Sequence, residues 1–95
     1  MAYGVSTMYI GKKLYALIAA GSFGLEIKEV SDPSKLSLIG SLAFVDEEAS
    51  DVSTMIIAGK LYALLIMKYD LRIIEVSDPS NPLLISKYTT THEWE

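Results

Sequence analysis

The stretch Glu29-Val30-Ser31-Asp32-Pro33-Ser34 returns letter for letter as Glu75-Val76-Ser77-Asp78-Pro79-Ser80, and superposing the two copies brings nearly all of the 95 residues into two matching halves. A chain that repeats itself at this spacing has to build its fold from two copies of one small unit. In both copies the letters before the aspartate alternate in the manner of a strand. Asp-Pro-Ser then makes a turn, because proline pre-sets φ at the second turn position and aspartate can bond its own backbone.

Taken in order, each half reads as four short strands. VSTMYI (5–10) is matched by VSTMII (52–57), rich in the branched and aromatic residues that favour strands. Tight turns follow at Gly11-Lys12-Lys13 and Ala58-Gly59-Lys60, where the glycine has moved by one place, so the two turns are expected to differ in type. LYALIAA (14–20) and LYALLIM (61–67) are continuous apolar runs bounded by turn signals, which reads as strands covered on both faces. LEIKEVS (25–31) and LRIIEVS (71–77) place Glu26, Lys28 and Val30, or Arg72, Ile74 and Val76, on one side. A fourth strand, 36–44 or 82–90, carries Pro82 and Lys87 in the second copy, as suits a sheet edge.

The expected fold is therefore all-β, with two four-stranded antiparallel units over 1–48 and 49–95. A period near 46 residues with four strands in each unit is the pattern of propeller blades, which stack face to face and so cover a strand on both sides. A single eight-stranded sandwich or barrel is the alternative. It accounts less well for LYALLIM and for such close repetition.

The segment LRIIEVSDPSNPLLISKY (71–88) resembles the LVIVD repeat, a family of β-propeller blades. LEIKEVSDPSKLSLIGSL in the first half is similar, departing at Lys28 and at Lys35-Leu36 where the pattern has Asn-Pro. The resemblance implies a ring of blades and proteins of surface or extracellular setting with a binding function. It supplies no catalytic motif.

Two blades do not close a ring that needs four to eight, and an open end leaves aliphatic side chains in water. Hydrophobic residues make up 51% of the chain and mean hydropathy is +0.32, more apolar material than so small a domain can hide. The chain is thus expected to assemble with itself head to tail, as a homotrimer of six blades first and a homotetramer of eight next. Net charge is −4 with the basic residues dispersed, which argues against nucleic acid and against an anionic membrane surface. No apolar run is long enough to cross a membrane as a helix, and the N-terminal residues lack a leader pattern, so the chain reads as soluble with its compartment open. With no cysteine, thiolate metal sites are excluded.

No nucleophile elbow, phosphate loop or paired metal motif occurs, so a non-catalytic binding or scaffold module without cofactor is the expected function. Alternatives are a small-ligand or glycan binder using the loop face, an enzyme whose site forms only between subunits, and an isolated or engineered piece of a longer propeller. Candidate contacts on the loop face or at the seams between chains are Tyr3, Phe23, Asp46, Glu47, Glu48, Tyr69, His92 and Trp94. The acidic run 46–51 is expected to be a solvated, tolerant loop. His92, a lone histidine in a terminal segment, is expected to be solvated as well.

Overall fold

The computed structural model of the chain describes residues 3–44 and 47–89. Eight strands run in sequence: β1 (Gly4–Ile10), β2 (Lys13–Ala19), β3 (Leu25–Glu29), β4 (Ser37–Leu42), β5 (Ala49–Ile57), β6 (Lys60–Met67), β7 (Asp70–Glu75) and β8 (Leu83–Thr89). They form two four-stranded antiparallel meanders, β1-β2-β3-β4 and β5-β6-β7-β8, with no helix among the described residues. Within each meander consecutive strands pair because the connections, of two to seven residues, are too short to reach any but an antiparallel neighbour.

The repeat extends to irregular details. Each sheet carries a bulge at the same place, between Ile27 and Lys28 and between Ile73 and Ile74, so that Ile39 on β4 and Ile85 on β8 are the extra residues. The shared Val-Ser-Asp-Pro-Ser segment has one structural task in both copies. The valine N–H donates to the carbonyl of Leu14 or Leu61, at 2.9 and 2.8 Å, and carries the ladder one residue past the strand end. The serine hydroxyl then accepts from the N–H of that same leucine, Ser31 from Leu14 at 2.9 Å and Ser77 from Leu61 at 3.0 Å. Asp32 Oδ1 accepts from both the N–H and the hydroxyl of Ser34, and Asp78 does likewise with Ser80. These bonds hold the Asp32 carboxyl below the usual carboxylate range, with the Ser34 hydroxyl as the main cause.

The first hairpins differ as their glycines imply. Ile10 pairs with Lys13 and Ile57 with Lys60, so both loops have two residues. Gly11 alone has positive φ in the first, a II′ pattern, whereas Ala58 (52°) and Gly59 (79°) both do in the second, a I′ pattern. Ala58 is the one described non-glycine residue held there, at a cost of about 1–2 kcal/mol.

The two sheets stack face to face with β1 beside β5. Met8, Leu17, Leu25 and Ile27 from the first sheet and Val52, Ala63, Leu65 and Ile74 from the second make one apolar core. Ser6 and Thr54 share a hydrogen bond of 3.2 Å across it. On β4 the sheets come so close that a β-carbon on Gly40 would run into the carbonyl oxygen of Pro79, in the β7–β8 turn. The apolar runs expected to be covered on both faces are fully covered on one, with Ala16 and Ala20 buried on the other side of the first run as well. Along β6, Ala63, Leu65 and Met67 are buried while Tyr62, Leu64 and Ile66 are half-buried, because two sheets supply a single interface.

Candidate functional site

One end of the stack collects the β2–β3 turn, the β6–β7 turn and the β4–β5 connection. The first turn is tied to the start of β5 by a reciprocal pair of bonds, the Gly21 N–H to the Ala49 carbonyl at 3.1 Å and the Ala49 N–H to the Gly21 carbonyl at 3.0 Å. Phe23 stands exposed on this turn, and exposed Tyr3 leads into β1 beside it, its N–H donating to the Ala19 carbonyl at 2.8 Å. Glu47, Glu48, Lys68 and Tyr69 line a cavity of about 290 Å³ at the same end. The Lys68 ammonium lies 5.5 Å from the centre of the Tyr69 ring. Of the residues singled out from sequence, the cavity thus joins Glu47, Glu48 and Tyr69. Tyr3 and Phe23 belong to the same end without lining it, and Asp46, His92 and Trp94 lie outside the described residues.

The acidic run is not the uniform solvated loop that composition implies. Ala49 is fully buried and opens β5, so strand pairing begins inside the run, and Asp51 accepts from its neighbour's N–H, Val52, at 2.9 Å. Glu47 has a structural partner: Arg72 Nη2 donates to its Oε2 at 2.7 Å. The same guanidinium grips Asp70 with two bonds, Nε to Oδ1 at 2.8 Å and Nη2 to Oδ2 at 3.0 Å, and its carbon sits 4.2 Å from the centre of the Phe44 ring. Arg72 and Asp70 are 3% and 4% exposed. Burial by itself lowers the pKa of Arg72, but the bonds to Asp70 and Glu47 outweigh it and raise the value above that of a free arginine. Arg72 therefore stays charged and ties the exit of the first sheet to the third strand of the second.

Sequence reading missed this clamp, treating Arg72 as one of several dispersed basic residues. The readable signal was a break in the repeat: Asp70-Leu71-Arg72 stands where the first half has Gly24-Leu25-Glu26. A second cavity, of about 500 Å³, opens along the adjacent edges of β1 and β5 between Thr7, Met8 and Tyr9 and Thr54, Met55 and Ile56. Its lining is largely apolar. Among the described residues no three His, Asp or Glu side chains come close enough to hold a metal ion.

The family model of the LVIVD repeat matches residues 12–44 and again 48–90, two copies that together take in most of the chain. The chain belongs to the LVIVD-repeat family. The matched spans hold β2 to β4 and β5 to β8, so the second LVIVD copy takes in a whole meander and the first all of its meander but β1, each with its Val-Ser-Asp-Pro-Ser anchor. Neither the curated proteins nor the solved structures contain a significant match.

Proposed function

We propose that the chain is a non-catalytic module of two propeller blades that closes a ring with further copies of itself and serves as a binding scaffold. One observation carries the proposal: equivalent LVIVD positions are buried or exposed according to which face the neighbouring sheet covers. Val52 is 6% exposed against the first sheet, while its counterpart Val5, on the outer face of that sheet, is 64% exposed. On the opposite kind of face, Ile39 and Leu42 pack on the core, while their counterparts Ile85 and Tyr88 are 53% and 65% exposed. The stack is thus head to tail. Its two free faces are of the same two kinds that already bind each other inside the chain, which is the relation that lets units add in one direction until a ring closes. A closed two-sheet sandwich would instead carry polar outer faces, and here the outer face of the second sheet presents Leu64, Ile66, Leu71 and Ile73, all half-buried.

Solution mass tests this directly. Native mass spectrometry or light scattering at micromolar concentration should give three chains of 10.4 kDa, 31.2 kDa, or failing that four, 41.6 kDa. A chain that stays single at every concentration would sink the ring, and a two-fold dimer would mean that the faces pair in another way.

The cavity among Glu47, Glu48, Lys68 and Tyr69 favours a second reading, a small polar ligand or glycan held at the loop end by carboxylates and an aromatic face. Binding to a sugar array should then be lost in Tyr69→Ala. Flat binding curves for the unaltered protein would remove it.

A further inference from the structure

The joint between chains in such a ring is not a copy of the joint inside the chain. Resting on the ring reading above, we propose that the intermolecular seam is wider and more polar than the internal one and opens reversibly on dilution while the internal seam stays shut. It joins the face of one copy that bears Leu64, Ile73, Ser86 and Tyr88 to the face of a second copy that bears Val5, Ile18 and Lys28.

The occupant of each free face follows from continuity with the internal interface, and the character of the seam follows from four differences between equivalent positions. The first concerns closeness. Gly40 lets the first sheet approach the Pro79 carbonyl to a distance that excludes any β-carbon, and the residue at the equivalent position, paired with Ile73 as Gly40 is with Ile27, is Ser86. Against the equivalent Pro33 carbonyl of a second copy, Ser86 holds the sheets further apart and offers a hydroxyl to donate there.

The second difference is Lys28 for Ile74. Ile74 is fully buried in the internal seam, whereas Lys28 brings an ammonium that must reach water or a partner at the margin of the apolar layer. The third is Glu26 for Arg72: the clamp that ties Phe44, Glu47 and Asp70 together inside the chain has no counterpart, since Gly24 stands where Asp70 does. Neither Glu26 nor Lys28 forms an ion pair among the described residues. The fourth is Tyr88 for Leu42, which adds a phenol hydroxyl to a position that is aliphatic in the internal seam. Each change swaps an apolar or already satisfied group for one that needs water or a new hydrogen bond. The residues shared by the two seams still recognise one another. The four that differ make the outer joint the one that gives way.

A dilution series of the full chain, followed by sedimentation and circular dichroism, tests this. The ring should dissociate to single chains that keep their strand signal. Lys28→Ile, which restores the residue of the internal seam, should move the dissociation midpoint at least tenfold lower in concentration and make it less sensitive to salt. Leu64→Lys should move it at least tenfold higher while the dissociated chain still folds, with an unfolding midpoint lowered far less than by Leu17→Ala, and Phe23→Arg, at the loop end, should change neither.

If Lys28→Ile weakens the assembly or leaves it unchanged, or if the ring holds until the chain unfolds, the polar, reversible seam is wrong. An unchanged mass for Leu64→Lys, or an equal loss in Phe23→Arg, places the contact on other surfaces and overturns the seam while leaving a ring standing. Single chains at every concentration of the unaltered protein overturn both.

Discussion

Arg72→Ala is expected to lower the stability of the folded chain by about 3–5 kcal/mol, the cost of leaving one charge of a buried pair without the other. Asp70, 4% exposed in the intact chain, would lose both of its side-chain hydrogen bonds, from Nε and Nη2 of Arg72. For a domain whose total stability is about 5–15 kcal/mol, that is a large share. Urea unfolding should show it as a midpoint lowered by more than about 1 M at the slope usual for small domains. The double change Arg72→Met with Asp70→Leu should recover most of the loss, because no carboxylate is then left buried. If the double is as unstable as the single, the loss comes from packing on Phe44 and not from the stranded charge. Glu47→Ala should cost less than about 1 kcal/mol, since its side chain is 43% exposed and water can replace the bond. A loss below about 1 kcal/mol for Arg72→Ala itself would mean that the site is wetter than its burial implies.

The second large effect separates two leucines that the sequence presents as equals. Leu17→Ala should destabilise the chain by about 2–5 kcal/mol, as expected for deleting a fully buried aliphatic group in a packed core. Leu64, its repeat counterpart, is half-buried, and in chains kept dissociated Leu64→Ala should cost well under half as much. Local sequence does not tell them apart, because each is the fourth residue of a matching seven-residue apolar run, LYALIAA (14–20) or LYALLIM (61–67). Thermal unfolding with the mass checked at the working concentration decides it. Equal losses in dissociated chains would show that the outer face of the second sheet is covered by something other than a further copy.

Much of the architecture was legible because it is local and repeated. Four strands in each half, the Asp-Pro-Ser turns, the differing glycine hairpins and the edge character of the last strand all follow from residues within a few positions of one another. The meeting of turns at the loop end was legible too: Tyr69 lies 21 positions beyond Glu48, yet the order of strands in each unit sends its turn to the end where Glu47 and Glu48 stand. The clamp was not, because an arginine at an alternating strand position has the pattern of a solvent-facing residue until something across the seam, here Phe44 and Glu47, stands over it. Ala49 was misplaced in a loop for a related reason. Its partner is Gly21, brought there by the stacking of the sheets and not by any neighbour in the chain.

What the sequence determined by itself is the unit: two LVIVD copies, each a meander with apolar residues on both faces, closed by the same serine and aspartate bonds. What only the tertiary structure decided is which of those faces is covered in each copy. Val5 and Val52, or Ile39 and Ile85, are the same letters in the same local pattern, so propensity and periodicity predict the same burial for both members of a pair. Their opposite fates, one in the core and one in water, come from the direction in which one twisted sheet stacks on the next. That direction depends on long-range fit at Gly40, Ser6 and Thr54 and on the bond from Arg72 to Glu47, contacts between residues at least 25 positions apart in the chain.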